Sequence, residues 1–198
     1  MLTTIIIVVA ALLVVGAIGA GIGALLLRNW TEAVLRGGGF KVQQVPAADL
    51  DEFLRTQATF AVTAQREFPY PPHKVWDALQ LDGTFSWIPF VNGIRYRDDY
   101  RREGALRTFD GLLFGAEEKV IVQAPDRRLA VSGTRISLPV LIRSFAEDYQ
   151  LTETADGTLL TWTIAFRPRY FTFLPLRWGA PFVRPFARFG IRGLTTRI

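Results

Sequence analysis

The sequence predicts an α+β protein: an antiparallel meander of short strands in a curved sheet with helices on one side, preceded by one transmembrane helix. Three observations predict it. Leu2 to Leu27 runs for 26 residues without an ionisable side chain. From Thr59 onward apolar and polar residues alternate with the period of strands. Turn residues then punctuate the chain at the short spacing of an antiparallel meander.

A helix needs about 20 apolar residues to cross the hydrocarbon core, so residues 1–27 suffice even when tilted. A cleaved secretory signal is the alternative, but it calls for a cationic start, an apolar stretch of roughly 7–15 residues and a small-x-small cleavage site. Here no Lys or Arg precedes the run, and it ends Leu25-Leu26-Leu27-Arg28. The expectation is a retained anchor. Arg28, Arg36 and Lys41 follow it, which favours a single-pass cell-membrane protein with a cytoplasmic C-terminal domain. The absence of cysteine agrees with a reducing compartment. Gly19 and Gly23 give a small-residue face through which a homo-oligomer could pack, although glycine is common in membrane helices in any case.

Residues 28–57 read as a juxtamembrane linker. Trp30 to Arg36 can continue as an interfacial helix, Gly37-Gly38-Gly39 supplies a flexible break, and Pro46 to Leu54 reads as a short capped amphipathic helix. Residues 58–198 form the domain. Phe60, Val62, Ala64 and Phe68 share one face of a first strand, and Pro71-Pro72 open a helix through Val75, Trp76 and Leu79. Strands are expected over Ile94–Tyr100, Leu106–Phe114, Lys119–Gln123, Leu129–Thr134, Phe145–Glu153 and Leu159–Arg167. Arg102-Glu103-Gly104, Pro125-Asp126 and Asp156-Gly157 mark turns between them.

Six segments occur in a telling order: Pro72-His73-Lys74-Val75-Trp76, Trp87-Ile88-Pro89-Phe90-Val91, Gly104-Ala105-Leu106-Arg107, Glu118-Lys119-Val120, Pro125 to Leu129, and Gly157 to Trp162. Together, over about residues 59–196, they resemble the START-like (SRPBCC) polyketide cyclase/dehydrase and lipid-transport family. The resemblance implies a helix-grip fold, in which a seven-stranded antiparallel sheet wraps a long C-terminal helix around an apolar cavity. Members bind lipids, sterols or polyketides, and some cyclise or dehydrate them. The sequence departs at its end, where Gly179, Pro181, Pro185, Gly190 and Gly193 occupy the expected helix. Proline inside a helix costs about 3 kcal/mol, so that helix is expected to break or to start late, near Pro181.

Catalytic chemistry is sparsely provided for. With no Cys and only His73, a Cys-His pair or a multi-histidine metal site cannot be built, and no metal or cofactor is expected. His73 itself reads as an exposed first-turn residue. Under the resemblance, Arg107 and Glu118 fall on neighbouring strands at the family's Gly-x-x-Arg and Glu-x-Val positions. They can pair in the cavity as a polar handle for a ligand head group, or lie outside as a cross-strand pair worth ~0.2–1 kcal/mol. Trp76, Trp87, Phe109 and Trp162 are candidate cavity walls, with core packing the alternative for each.

From Arg167 to Ile198 seven Arg occur and no acidic residue. Arg177, Arg184, Arg188 and Arg192 are candidates for contact with a membrane surface, while Phe182 and Phe186 lie on another face as cavity candidates. A closing helix with solvated arginines is the plainer alternative, and nucleic acid is not expected as a partner. Three function classes stay open: a membrane-anchored binder or carrier of a hydrophobic molecule (preferred), a cyclase/dehydrase-like enzyme, and a non-catalytic scaffold.

Overall fold

The computed structural model describes residues 2–138, 142–170 and 179–198, with side chains from residue 16 onward except residues 18 and 182. Helix α1 spans Leu2–Leu35. Among the described residues no helix is long and apolar enough to cross a membrane. The anchor expected over residues 1–27 falls in large part on side chains outside that set.

The carboxyl end of α1 packs against the sheet. Thr31 and Val34 are buried, and Arg28 Nη1 reaches Asp110 Oδ1 at 2.9 Å. Gly115 permits the approach, since a Cβ there would lie 2.8 Å from Thr31 Cγ2. Gly37 and Gly39, each at φ +82°, then reverse the chain into strand β1 (Phe40–Lys41). The glycines expected to form a flexible break thus make a tight turn between two docked segments, in a conformation that side chains rarely adopt.

The remaining strands are β2 (Phe60–Phe68), β3 (Val91–Tyr96), β4 (Leu106–Gly111), β5 (Gly115–Ala124), β6 (Arg128–Ile136), β7 (Ile142–Thr154) and β8 (Gly157–Pro168). Among the described residues these seven form one sheet in the order β2-β8-β7-β6-β5-β4-β3, with antiparallel neighbours throughout. The short β1 pairs with β6 at Phe40↔Ile136, beyond the last β6–β7 partners, Ser132↔Ala146.

Alternation decides the two faces of the sheet. Ala64, Leu129, Val131, Tyr149, Leu160 and Trp162 meet helix α3 (Pro72–Gln80) and helix α4 (Ala180–Gly193) in the main core. On the other face Ala130, Ala146 and Ala165 leave room for Leu50 and Phe53. Those two ride on an irregular helical segment, Ala47–Asp49, α2 (Leu50–Glu52) and Phe53–Gln57, where the sequence predicts an amphipathic helix. Burying side chains of this size is worth about 1.5–3 kcal/mol each. Arg128 fastens the segment, reaching Asp148 Oδ1 at 2.8 Å and Asp51 Oδ1 at 2.6 Å.

Several strand boundaries differ from the sequence expectation, among them the end of β3 at Tyr96 and of β4 at Gly111, and two of the differences have plain physical reasons. Strand β5 begins at Gly115 rather than Lys119, because Glu117 and Glu118 are both buried against arginines on opposite faces. Strand β3 begins at Val91 because Gly93, at φ +108°, forms a bulge where a Cβ would lie 2.8 Å from the Gly83 backbone. Helix α4 starts at Ala180, next to Pro181 as expected, and carries Pro185 in its second turn. Its glycines serve close packing, since a Cβ at Gly190 would lie 3.2 Å from both Ile88 and Trp162.

Candidate functional site

Between the inner face of the sheet, α4 and the segment leading into β3 lies a cavity of about 280 Å³. Phe109 and Ala116 from β4 and β5, Phe145 from β7, and Trp162, Ile164 and Phe166 from β8 supply most of its wall. Phe85, Ile88 and Phe114 add loop side chains. Val183, Phe186 and Ala187 close it from α4. Val183 and Phe186 are 36% and 68% exposed, so the cavity opens along this helix. Among the lining residues only Glu118 and Glu147 carry charge.

The strand register brings these carboxylates together. Arg107 stands directly opposite Glu118 across β4 and β5, and ordinary strand alternation sends Glu117 and Glu118 to opposite faces, the extra residue of the register shift beside them being Thr134 on β6. Arg107 Nε donates to Glu118 Oε2 at 2.7 Å and Nη2 to Glu147 Oε2 at 3.4 Å. Tyr149 lies two residues beyond Glu147 on the same face, and its hydroxyl donates to Glu147 Oε2. The Arg107 guanidinium also sits 5.6 Å from the Tyr149 ring centroid, and that ring stacks on Trp162 at 5.4 Å.

Two carboxylates share one cation here, in surroundings that solvate charge poorly. Burial, partly offset by Arg107 and reinforced by Glu147, pushes the Glu118 carboxyl up to about 7. Burial and then the Glu147 charge hold the Tyr149 hydroxyl well above its usual range. Burial works against the charge on Arg107, but Glu118 and the other neighbours outweigh it, so its pKa stands above the ordinary value. The cluster can therefore hold or release one proton near neutral pH while its cation stays fixed.

Of the residues singled out in the sequence, Phe109, Glu118, Trp162 and Phe186 line this cavity, and Arg107 backs it without lining it. Trp76 and Trp87 do not line it. Trp76 is part of α3 and packs in the main core. Trp87 is spent on α4, where Nε1 donates to the Gly190 carbonyl at 2.9 Å and the indole occupies the space a Cβ at Gly193 would need. Arg184, Arg188 and Arg192 are exposed on α4, whereas Arg177 and the Phe182 side chain lie outside the described residues. Sequence reasoning missed Glu147, although Phe145-Ala146-Glu147-Asp148-Tyr149 gives it the strand parity of two buried aromatics.

Residues 59–198 match the family described as polyketide cyclase / dehydrase and lipid transport. No curated protein matches the chain. Among solved structures it is similar to protein MLL2253 from Mesorhizobium loti, with 18% identity, a TM-score of 0.51, and coverage of 69% of this chain and 97% of that one. Protein XoxI from Bacillus cereus is similar at 15% identity and a TM-score of 0.53, covering 70% and 94%. Protein NE0264 from Nitrosomonas europaea is similar at 16% identity and a TM-score of 0.51, covering 71% and 96%. Likeness at such identities establishes the fold, a curled antiparallel sheet closed by a C-terminal helix.

Proposed function

The chain belongs to the polyketide cyclase/dehydrase and lipid transport family, and from that premise we propose that it is a membrane-anchored binder or carrier of a hydrophobic small molecule. The observation that carries this reading is the 280 Å³ cavity, whose wall is apolar except for two glutamates. Its size lies near the lower end of small-molecule sites, roughly 300–1,000 Å³.

The anchor is the uncharged run Leu2 to Leu27, which is long enough to span a bilayer. Arg28, the first charged residue after it, is bonded to Asp110, and Leu112 and Leu113 follow within three residues at the tip of the β4–β5 hairpin. That tip therefore lies within roughly 10 Å of Asp110, at about 3.5 Å per residue. Leu112, Leu113 and neighbouring Phe90 are 42%, 44% and 77% exposed, and Leu112 N donates to the Phe90 carbonyl at 2.7 Å. Such an apolar cluster beside the anchor suits contact with the bilayer.

A cyclase- or dehydrase-like reaction on the bound molecule is the second reading. It is favoured by Glu118, a carboxyl poised near neutrality in an apolar cavity, as a general acid or base must be.

The test uses the full chain in lipid nanodiscs with the neutral hydrophobic probe N-phenyl-1-naphthylamine. Emission should rise well above that of empty discs, and Val183→Trp, which narrows the mouth, should weaken probe binding at least tenfold. Emission equal to empty discs contradicts the binding reading. Release of the full chain by alkaline carbonate contradicts the anchor.

A further inference from the structure

We infer that the cavity selects an amphiphile whose polar group is a hydroxyl and turns away the same chain ending in a carboxylate. The inference deepens the binding reading above and rests on it. The arrangement of donors and acceptors decides the matter. Arg107, the cation of the site, is 1% exposed and does not line the cavity. Its Nε and Nη2 are turned to Glu118 and Glu147, so the positive charge stands behind the carboxylates. The Tyr149 hydroxyl is likewise committed to Glu147. A ligand thus meets carboxylate oxygens, with the guanidinium screened from it.

One donor remains. Trp162 Nε1 is buried without a hydrogen-bond partner among the described residues, and the Trp162 ring lines the same cavity. An unmade hydrogen bond at a buried donor is costly, which makes the indole N–H receptive to a ligand acceptor. A hydroxyl satisfies both demands, because it donates through its hydrogen and accepts through its oxygen. A carboxylate could accept from the indole but would bring a third negative charge against Glu118 and Glu147, where low polarity strengthens repulsion. An ammonium could donate to the glutamates but would leave the indole unpaired and lose its own hydration.

The experiment compares 1-decanol, decanoate and decylamine as displacers of N-phenyl-1-naphthylamine from the full chain in nanodiscs at pH 8, with free concentrations corrected for partition into empty discs. Decanol should displace the probe at a concentration at least tenfold below that of decanoate, a difference of about 1.4 kcal/mol, and below that of decylamine. Trp162→Phe should weaken decanol while leaving decanoate the poorer ligand. Glu147→Gln should narrow the decanol–decanoate gap to under threefold, and because Glu147 is only partly buried this variant keeps the test independent of the folding of Glu118 variants. Decanoate binding as tightly as decanol overturns the inference while leaving hydrophobic binding intact. Preference for decylamine overturns it in favour of a cationic ligand. If the probe itself fails to bind, the binding reading falls and this inference with it.

Discussion

Arg107 Nε lies 2.7 Å from Glu118 Oε2, and the two side chains are only 1% and 3% exposed. An ion pair this deep is costly to break, because removing one partner leaves an uncompensated charge in the interior. Arg107→Met should therefore lower unfolding stability by about 3–5 kcal/mol, with Glu118 and Glu147 left facing each other. Urea unfolding of the full chain in detergent reads the effect. A loss below about 0.5 kcal/mol, the scale of exposed pairs, contradicts the buried-pair account.

Stability should also depend on pH through Glu118. Its folded carboxyl titrates near 7 against an ordinary value of 4.5, so between these values the folded protein holds a proton that the unfolded chain has released. The contribution is fully present below about pH 4.5, falls as pH rises through 7, and is flat beyond. Glu118→Gln removes this slope. Melting temperatures across pH 4–8 check it, and parallel curves for the two proteins contradict it.

The Arg28–Asp110 contact joins α1 to the domain, and Asn92 Nδ2 completes the site at 3.1 Å from Asp110 Oδ2. Arg28→Gln should cost about 1–3 kcal/mol, the penalty for a buried polar group left short of partners. Hydrogen exchange should quicken at Thr31 to Leu35 and in the β4–β5 hairpin. Unchanged protection at both places would show that the helix end is held by other contacts.

Helix α4, which carries the cavity-lining Val183, Phe186 and Ala187, exposes Arg184, Arg188 and Arg192. An arginine near an anionic surface contributes about 1 kcal/mol. Exchange of residues 180–193 should be slower in nanodiscs of anionic lipid than of neutral lipid, and the difference should vanish in high salt or when all three become Gln. Equal protection on both lipids would leave α4 as a packing helix with solvated arginines.

The strand meander, the helix at Pro72 and the late start of the last helix were legible because period-two alternation and proline chemistry are local signals. The pairing of Arg107 with Glu118 was legible from hairpin register and family resemblance. Glu147 was not, because its role depends on β7 curling across the sheet to face β4, a relationship no local pattern encodes. Residue type alone makes Trp76 and Trp87 candidates for either the cavity wall or the core, and the structure places neither on the cavity wall. What separates them from Trp162 is the place of Trp76 on α3 and the path of α4, whose own glycines admit Trp87 at Gly193 and bring Gly190 against Trp162. The docking of α1 was also hidden, since Gly115 and Thr31 show their fit only once folded.

An apolar cavity of 280 Å³ that binds a hydrophobic molecule should retain one when the protein is isolated with its lipid. The most direct test is native mass spectrometry of the full chain released from nanodiscs, comparing the unaltered protein with Val183→Trp. A bound small molecule is expected at near one per chain, extractable by organic solvent and lost from the plugged variant. A bare chain in both cases, with no probe binding when hydrophobic molecules are supplied, would contradict it.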